Sequence, residues 1–313
     1  MLKRRGHTVT GIDRVKDDDV ELDHFMYGDL LDDGLIDAAV DSQAGGVDMV
    51  MHLAAAKGDW GISANEFHRD NVETTTVLLE KGRQAGIKSW IFYSSVAALG
   101  PSDIALPEEA AFSPAIPYGA SKAEGEKLFH TFAEEDADAQ ITIIRPSVVY
   151  GAGNPSSTNI YRLIEAIYHN RFVMIGDGDT IKTTSYIENL LAANLFLMDR
   201  MSPGVQTYHY VDAPAKTTAD LIRVIYRLLE KKQPAWHLPR SMAAALAMPL
   251  DALSTLTGKD LPITAARINK FCTATNFDAS AIRKLGFEQP VGFEESLRRT
   301  VDWHMNEVVA VAV

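Results

Sequence analysis

The chain has 313 residues, 46% hydrophobic and 23% charged, with a net charge of −12; this is an ordinary globular composition, long enough for one large domain or two joined ones. The acidic balance argues against nonspecific binding to nucleic acid or anionic membrane, although an anionic small ligand needs only a local positive pocket. Cys272 is the single cysteine, so no internal disulfide is expected, which fits a reducing cytoplasm. The best apolar stretch, Met242 to Leu250, is broken by Pro249 and too short for a membrane span. The basic start runs into Gly6-His7-Thr8 and Asp13, so a signal peptide is not expected.

Met1 to Gly6 reads as the tail of a helix stopped by glycine. Thr8 to Ile12 then reads as a strand ending at Asp13. In dinucleotide-binding βαβ units, an acidic residue ~20 positions after a glycine fingerprint holds the adenosine ribose. If Asp13 is that residue, the glycines fall before Met1. Gly151-Ala152-Gly153 and Gly176-Asp177-Gly178 both lack the third glycine and the strand-to-helix context. The first strand and phosphate loop are therefore expected to be missing from this sequence; otherwise Asp13 merely ends a surface strand.

Phe25-Met26-Tyr27 is a short apolar run before Gly28-Asp29-Leu30. Val47 to Leu53 reads as a buried strand entering Ala54-Ala55-Ala56, where small side chains permit a flat ligand or simply tight packing. Asn65 to Ala85 is a long helical pattern ended by Gly86. Trp90 to Tyr93 is a strand followed by Ser94-Ser95, and Ile141 to Ile144 is a strand reaching Arg145-Pro146. Strands alternating with helices predict an α/β fold, a parallel sheet covered on both faces. Beyond residue 150 a helix is expected near Ile160–His169, a strand at Phe172–Ile175, a helix at Ile187–Arg200 and a strand at Thr207–Val211. An amphipathic helix over Ala219–Lys231 follows, then a mostly helical tail from Pro239 to Trp303, interrupted at Pro249, Pro262 and Pro290. The expected division is a ligand-binding domain over 1–150, rejoined by the strand near 207–211, and an interleaved cap over 151–313.

Between these strands, Pro117 opens a helix carrying Tyr118 and Lys122. Their spacing of four puts both on one helical face. A nearby ammonium favours phenolate, bringing a phenol with a usual pKa of ~10 toward the range of a general base. Alone, Tyr-x-x-x-Lys is better explained by an exposed tyrosine and a solvated lysine. No histidine spacing suits a metal.

In order and spacing, several short motifs together resemble the extended short-chain dehydrogenase/reductase family, also called the NAD-dependent epimerase/dehydratase family. They are Gly28-Asp29-Leu30, His52-Leu53-Ala54-Ala55, Asn71, Ser94-Ser95, Tyr118-Gly119-Ala120-Ser121-Lys122, Arg145-Pro146 and Val149-Tyr150-Gly151. Gly176-Asp177-Gly178, Lys284-Leu285-Gly286-Phe287 and Pro290 also fit. The resemblance implies a Rossmann-like doubly wound parallel sheet with a smaller, mostly helical C-terminal substrate-binding cap. It implies NAD as cofactor, with NADP disfavoured by Asp13, although Arg14 weakens that choice. Tyr118 would exchange the proton of a substrate hydroxyl, Lys122 would lower the Tyr118 pKa and bond the nicotinamide ribose, and Ser95 would hold the substrate oxygen. Asp13, Arg14, Asp29, Leu30, Leu53, Ala54, Ala55, Asn71, Pro146 and Val148 would border the cofactor. Ser95, Val96, Lys182 and Arg267 would meet the substrate, the two cations facing a diphosphate.

Val96 and Ala97 stand where dehydratases of the family carry an acidic pair, which disfavours dehydration and decarboxylation. The expected activity is a nucleotide-sugar 4-epimerase, cytoplasmic and homodimeric through the helices at 65–85 and 118–134. The alternatives are a 3β-hydroxysteroid- or flavonol-type dehydrogenase, for which Leu99 makes one wall apolar, and a non-catalytic binding protein.

Overall fold

The computed structural model describes every residue except 17–19, 21, 44, 58–60, 244, 249–264 and 310–313; the side chains of 266, 267, 270, 308 and 309 also lie outside the description. The chain runs through β1 (Thr10–Asp13), β2 (His24–Tyr27), α1 (Leu35–Asp41), β3 (Met49–His52), α2 (Ala64–Phe67), α3 (Thr74–Gln84), β4 (Ser89–Tyr93) and β5 (Ser102–Leu106). It continues with α4 (Pro117–Glu135), β6 (Gln140–Pro146), β7 (Val148–Tyr150), α5 (Asn159–Tyr168), β8 (Thr184–Tyr186), α6 (Ile187–Met198), β9 (Gly204–Tyr210) and α7 (Thr218–Leu228). Strand β10 (Thr275–Phe277) and the helices Ala265–Cys272, Ser280–Lys284 and Phe293–Trp303 follow. Two compact units result: Met1–Ala98 with Phe112–Ile144 and Met198–Thr207, and Leu99–Ala111 with Arg145–Leu197 and Tyr208–Val313.

In the first unit, β1 and β2 pair in parallel from Thr10↔His24 to Asp13↔Tyr27. A separate sheet has the order β3-β4-β6-β9, with β3, β4 and β6 parallel. The run Trp90-Ile91-Phe92 is fully buried, as expected for a parallel strand covered on both faces. Trp90 meets Phe129 and Phe132 edge-on at 6.0 and 5.6 Å, and Phe92 stacks on Phe129 at 4.7 Å. Leu78 and Leu79 of α3 complete this core. A Cβ on Gly82 would stand 2.3 Å from the Trp90 ring, so glycine is what lets α3 lie close to β4. The expected helix over 65–85 forms, but a π-helical turn at His68–Glu73 interrupts it between α2 and α3. A capping box between Ser63 and Glu66 starts α2.

The second unit pairs β7 with β8 and β5 with β10, both in parallel. Its core gathers Tyr150, Tyr186, Ile164, Ile167, Ile222 and Ile225. The strand expected at Phe172–Ile175 is not a ladder; only Ile175 bridges, to Leu238. Phe172 and Met174 instead pack against the apolar core, so their alternation records packing rather than pairing. The described residues of the tail are largely helical, with β10 breaking them, while Pro249 and Pro262 lie outside the described residues.

Candidate active site

Parallel strands present their ligands at their carboxyl ends, and in the first unit those ends carry most of the residues singled out by sequence. Ser94 and Ser95 follow β4, and a short 3₁₀ turn over Val96–Ala98 follows them. Helix α4 starts against this turn, with Pro117 in its first turn. The approach is close enough that a Cβ on Gly119 would lie 2.2 Å from the Ala97 carbonyl oxygen. That contact brings Tyr118 close enough to Ser95 for the hydroxyl to act on the phenol, while the Ala97 amide donates to Ser95 Oγ at 3.2 Å. Burial raises the Tyr118 pKa, and the Ser95 hydroxyl works against the rise.

Lys122 is 3% exposed. Its Nζ donates to the Tyr93 carbonyl at 2.9 Å and lies 5.0 Å from the centre of the Phe92 ring. Burial lowers its pKa to about 8, while Glu126, one turn further along α4, holds it up. The ammonium is engaged with β4, desolvation dominates at the phenol, and Ser95 is the group that eases it. His52, stacked on Phe92 at 5.5 Å, makes a 2.9 Å hydrogen bond with Thr75 through Nε2. Burial, and secondarily the Lys122 charge, lower its pKa to about 3, so it is neutral.

Two residues that sequence reasoning did not assign complete this arrangement. Glu126 is fully buried, and the Ser94 hydroxyl donates to its carboxylate. Ser94 thus faces α4 while Ser95 faces Tyr118. The available signal was spacing: Tyr118, Lys122 and Glu126 recur every four residues and share one face of α4.

Asn71, in the π-helical turn, accepts from the Ala56 amide at 2.7 Å and donates to the Ala56 carbonyl at 3.1 Å and to Ser121 Oγ at 2.8 Å. Ser121 in turn donates to the Tyr118 carbonyl at 2.8 Å. Asn71 therefore ties the segment after β3 to the start of α4, and its amide groups are occupied by protein. Leu53 is 58% exposed, and Ala54 beside it is exposed too, an apolar ledge at the end of β3.

At the end of β1, Asp13 is exposed and accepts from the Val15 amide at 2.9 Å. Arg14 pairs with Asp70 at 3.0 Å and Asp29 at 3.5 Å, and Arg69 pairs with Asp29 at 2.8 Å. Desolvation opposes ionisation of Asp29, but the Leu31 amide and the two arginines outweigh it and lower its pKa. Leu30 packs against the first core, and the Val96 side chain is buried.

These strand ends offer an exposed carboxylate that suits vicinal hydroxyls and an apolar ledge that suits a flat ring, and α4 adds a phenol and a buried ammonium one turn apart. The remaining sequence-predicted residues belong to the second unit. Pro146 is buried at the end of β6, and Val148 packs on the second core. Lys182 is half-buried and donates to the Thr273 carbonyl, which accounts for one of its donors without a diphosphate. Arg267 lies on the helix Ala265–Cys272, with its side chain outside the described residues. Leu99 is buried, 2% exposed, and lines no open wall.

Residues 1–211 match the model of the NAD dependent epimerase/dehydratase family. A curated relative from Escherichia coli O157:H7, named N-acetyl-alpha-D-glucosaminyl-diphospho-ditrans,octacis-undecaprenol 4-epimerase, is 30% identical over 92% of this chain and 87% of its own. The 2-alkyl-3-oxoalkanoate reductase of Stenotrophomonas maltophilia is 26% identical over 95% and 92%. Among solved structures, the UDP-glucose 4-epimerase of Thermus thermophilus in complex with NAD superposes with a TM-score of 0.76 at 19% identity, covering 98% of this chain and 94% of its own. That likeness establishes the Rossmann-like α/β fold. On the family match and the length of the Escherichia coli alignment, the chain belongs to the NAD-dependent epimerase/dehydratase family.

Proposed function

We propose that this chain is an NAD-dependent nucleotide-sugar 4-epimerase working in the cytoplasm, with Ser95, Tyr118 and Lys122 as its catalytic residues. The observation that carries the reading is the Tyr118 phenol set close to Ser95 by α4, the helix that also carries the buried Lys122. Two of the named relatives act, by their names, on a sugar joined to a diphosphate, which supports a diphosphate-linked sugar as substrate. When bound, the cofactor supplies a hydride acceptor at the nicotinamide and a positive charge that favours phenolate at a neighbouring tyrosine.

Tyr118 takes the proton of the sugar 4-hydroxyl and later returns it, while Ser95 holds the same oxygen in place. Lys122 orients the cofactor ribose and contributes its charge; Asp13 takes the adenosine ribose hydroxyls, which favours NAD over NADP. Arg14 and Arg69, held by Asp29 and Asp70, are drawn away from a 2′-phosphate, which supports the same choice. Lys182 and Arg267 are proposed to meet the substrate diphosphate.

The outer faces of α3 and α4 are proposed to pair two copies of the chain. Between these helices lies a groove of about 400 Å³ lined by Thr76, Leu79, Arg83, Leu128 and Phe132. Among the described residues no helix is long and apolar enough to cross a membrane. The test is proton NMR of UDP-glucose and UDP-N-acetylglucosamine incubated with the protein and catalytic NAD. Appearance of the 4-epimer supports the reading. Stoichiometric NADH with an apolar alcohol, and no epimer from either sugar, would replace it with a dehydrogenase.

A further inference from the structure

Among the described residues, the second unit carries an apolar surface that their packing leaves exposed. Residues 240–243 and 245–248 are helical. On one side Ala243 and Ala247 pack with Ile268 against Ile175, Leu238 and Cys272. Away from that contact, Met242, Leu246 and Met248 are 54%, 61% and 63% exposed, and Trp236 just upstream is 61% exposed. A helix on a protein surface ordinarily turns polar and charged residues outward. Here three large apolar residues, Met242, Leu246 and Met248, lie among the outward residues within seven positions, beside Ser241 and Ala245, rather than scattered singly as surface apolar residues usually are.

The surrounding charge narrows what covers this face. From Lys231 to Met248 the sequence holds Lys231, Lys232, His237 and Arg240 and neither Asp nor Glu, in a chain of net charge −12. Lys232, His237 and Arg240 are exposed. The acids nearest in sequence to the Ile175–Leu238 bridge are the exposed Asp177 and Asp179. The exposed Glu230 lies just upstream of this run, and charges further off than ~8 Å are largely screened at physiological salt. An isologous contact between two copies would bring like cations together. Apolar side chains, a tryptophan and flanking cations are the composition of a segment lying in the headgroup layer of an anionic bilayer. Such a segment needs no membrane-spanning length.

We propose that Trp236, Met242, Leu246 and Met248, flanked by Lys232 and Arg240, seat this protein on an anionic phospholipid surface. The association is peripheral and independent of turnover, so its test stands apart from that of the activity. The full chain is floated with phosphatidylcholine vesicles, with and without phosphatidylglycerol. Flotation is expected only with phosphatidylglycerol. Met242→Ser/Leu246→Ser/Met248→Ser should weaken partitioning at least ~10-fold with unchanged melting, since it removes the apolar area that scales binding. Lys232→Glu/Arg240→Glu should abolish the preference for the anionic lipid while leaving the apolar face intact. Failure of the unmodified chain to float, or flotation of both variants like the unmodified chain, overturns the proposal. It is also overturned if the triple variant fails to self-associate where the unmodified chain does so without lipid and does not float; the face then joins two copies.

Discussion

Replacing Glu126 by Gln isolates the electrostatic support of Lys122. The ammonium is buried among His52 of β3, the Phe92 ring and Tyr93 carbonyl of β4, and Glu126 of its own helix. Of these, Glu126 is the anion. Burial alone pushes the lysine toward neutrality, and with Glu126 present it settles at about 8. A close opposite charge favours the ionised form by ~1–3 pKa units, so the variant should place Lys122 at roughly 5–7. At pH 7.5 the cationic fraction then falls from about three quarters to roughly a quarter or less. Glutamine keeps the size and an oxygen for the Ser94 hydroxyl, so the fold should survive, which melting checks. The assay is the pH dependence of kcat/KM, which reports groups of the free enzyme. The alkaline limb should lie near 8 in the unmodified protein, where the cation is lost as pH rises, and move down by ~1–3 units in Glu126→Gln. An alkaline limb at the same pH in both proteins would refute the assignment of Glu126.

Gly119→Ala forces a methyl toward the Ala97 carbonyl oxygen, 2.2 Å from the ideal Cβ position; it should cost about 1–3 kcal/mol of stability in urea titrations. Because that contact seats Tyr118 beside Ser95, turnover should fall roughly 100-fold in steady-state assays, the cost of a ~1 Å misplacement. His52 excludes a proton in the fold, with a pKa of about 3 against an ordinary value of 6.5. As pH falls below 6.5, the unfolded chain takes up a proton that the folded chain refuses, so stability declines. Between pH 7.5 and 5 this contributes a loss of about 2 kcal/mol, which urea titrations of His52→Gln should lack; an equal loss in both proteins would contradict it.

The parallel strands were legible because Trp90-Ile91-Phe92 is a continuous apolar run and Ile141-Thr142-Ile143-Ile144 a nearly continuous one, and burial on both faces demands such runs. Strands β5, β7, β8 and β10 have only three to five residues, too few for alternation to show. The π-helical turn at His68–Glu73 was hidden inside a helical pattern that tolerates one extra residue. Spacing put Tyr118 and Lys122 on one helical face, whereas Ser95 was singled out only by the family resemblance. The Ser94–Glu126 contact was not legible, because it joins residues 32 positions apart through the seating of α4 on β4. Four-residue spacing places a lysine near a tyrosine, but only the fold shows that the ammonium also donates to the Tyr93 carbonyl.

The most direct test of the central claim follows the hydrogen at C4 of the sugar. UDP-glucose deuterated at C4 is incubated with the protein and NAD, and product and substrate are read by NMR. Removal and return of hydride through Tyr118-assisted chemistry predicts a 4-epimer that keeps its deuterium at C4. Tyr118→Phe, folded as judged by melting, should form it at least ~100-fold more slowly, as loss of a general acid–base requires. Product carrying solvent hydrogen at C4, or a Tyr118→Phe protein as fast as the unmodified one, would contradict the account.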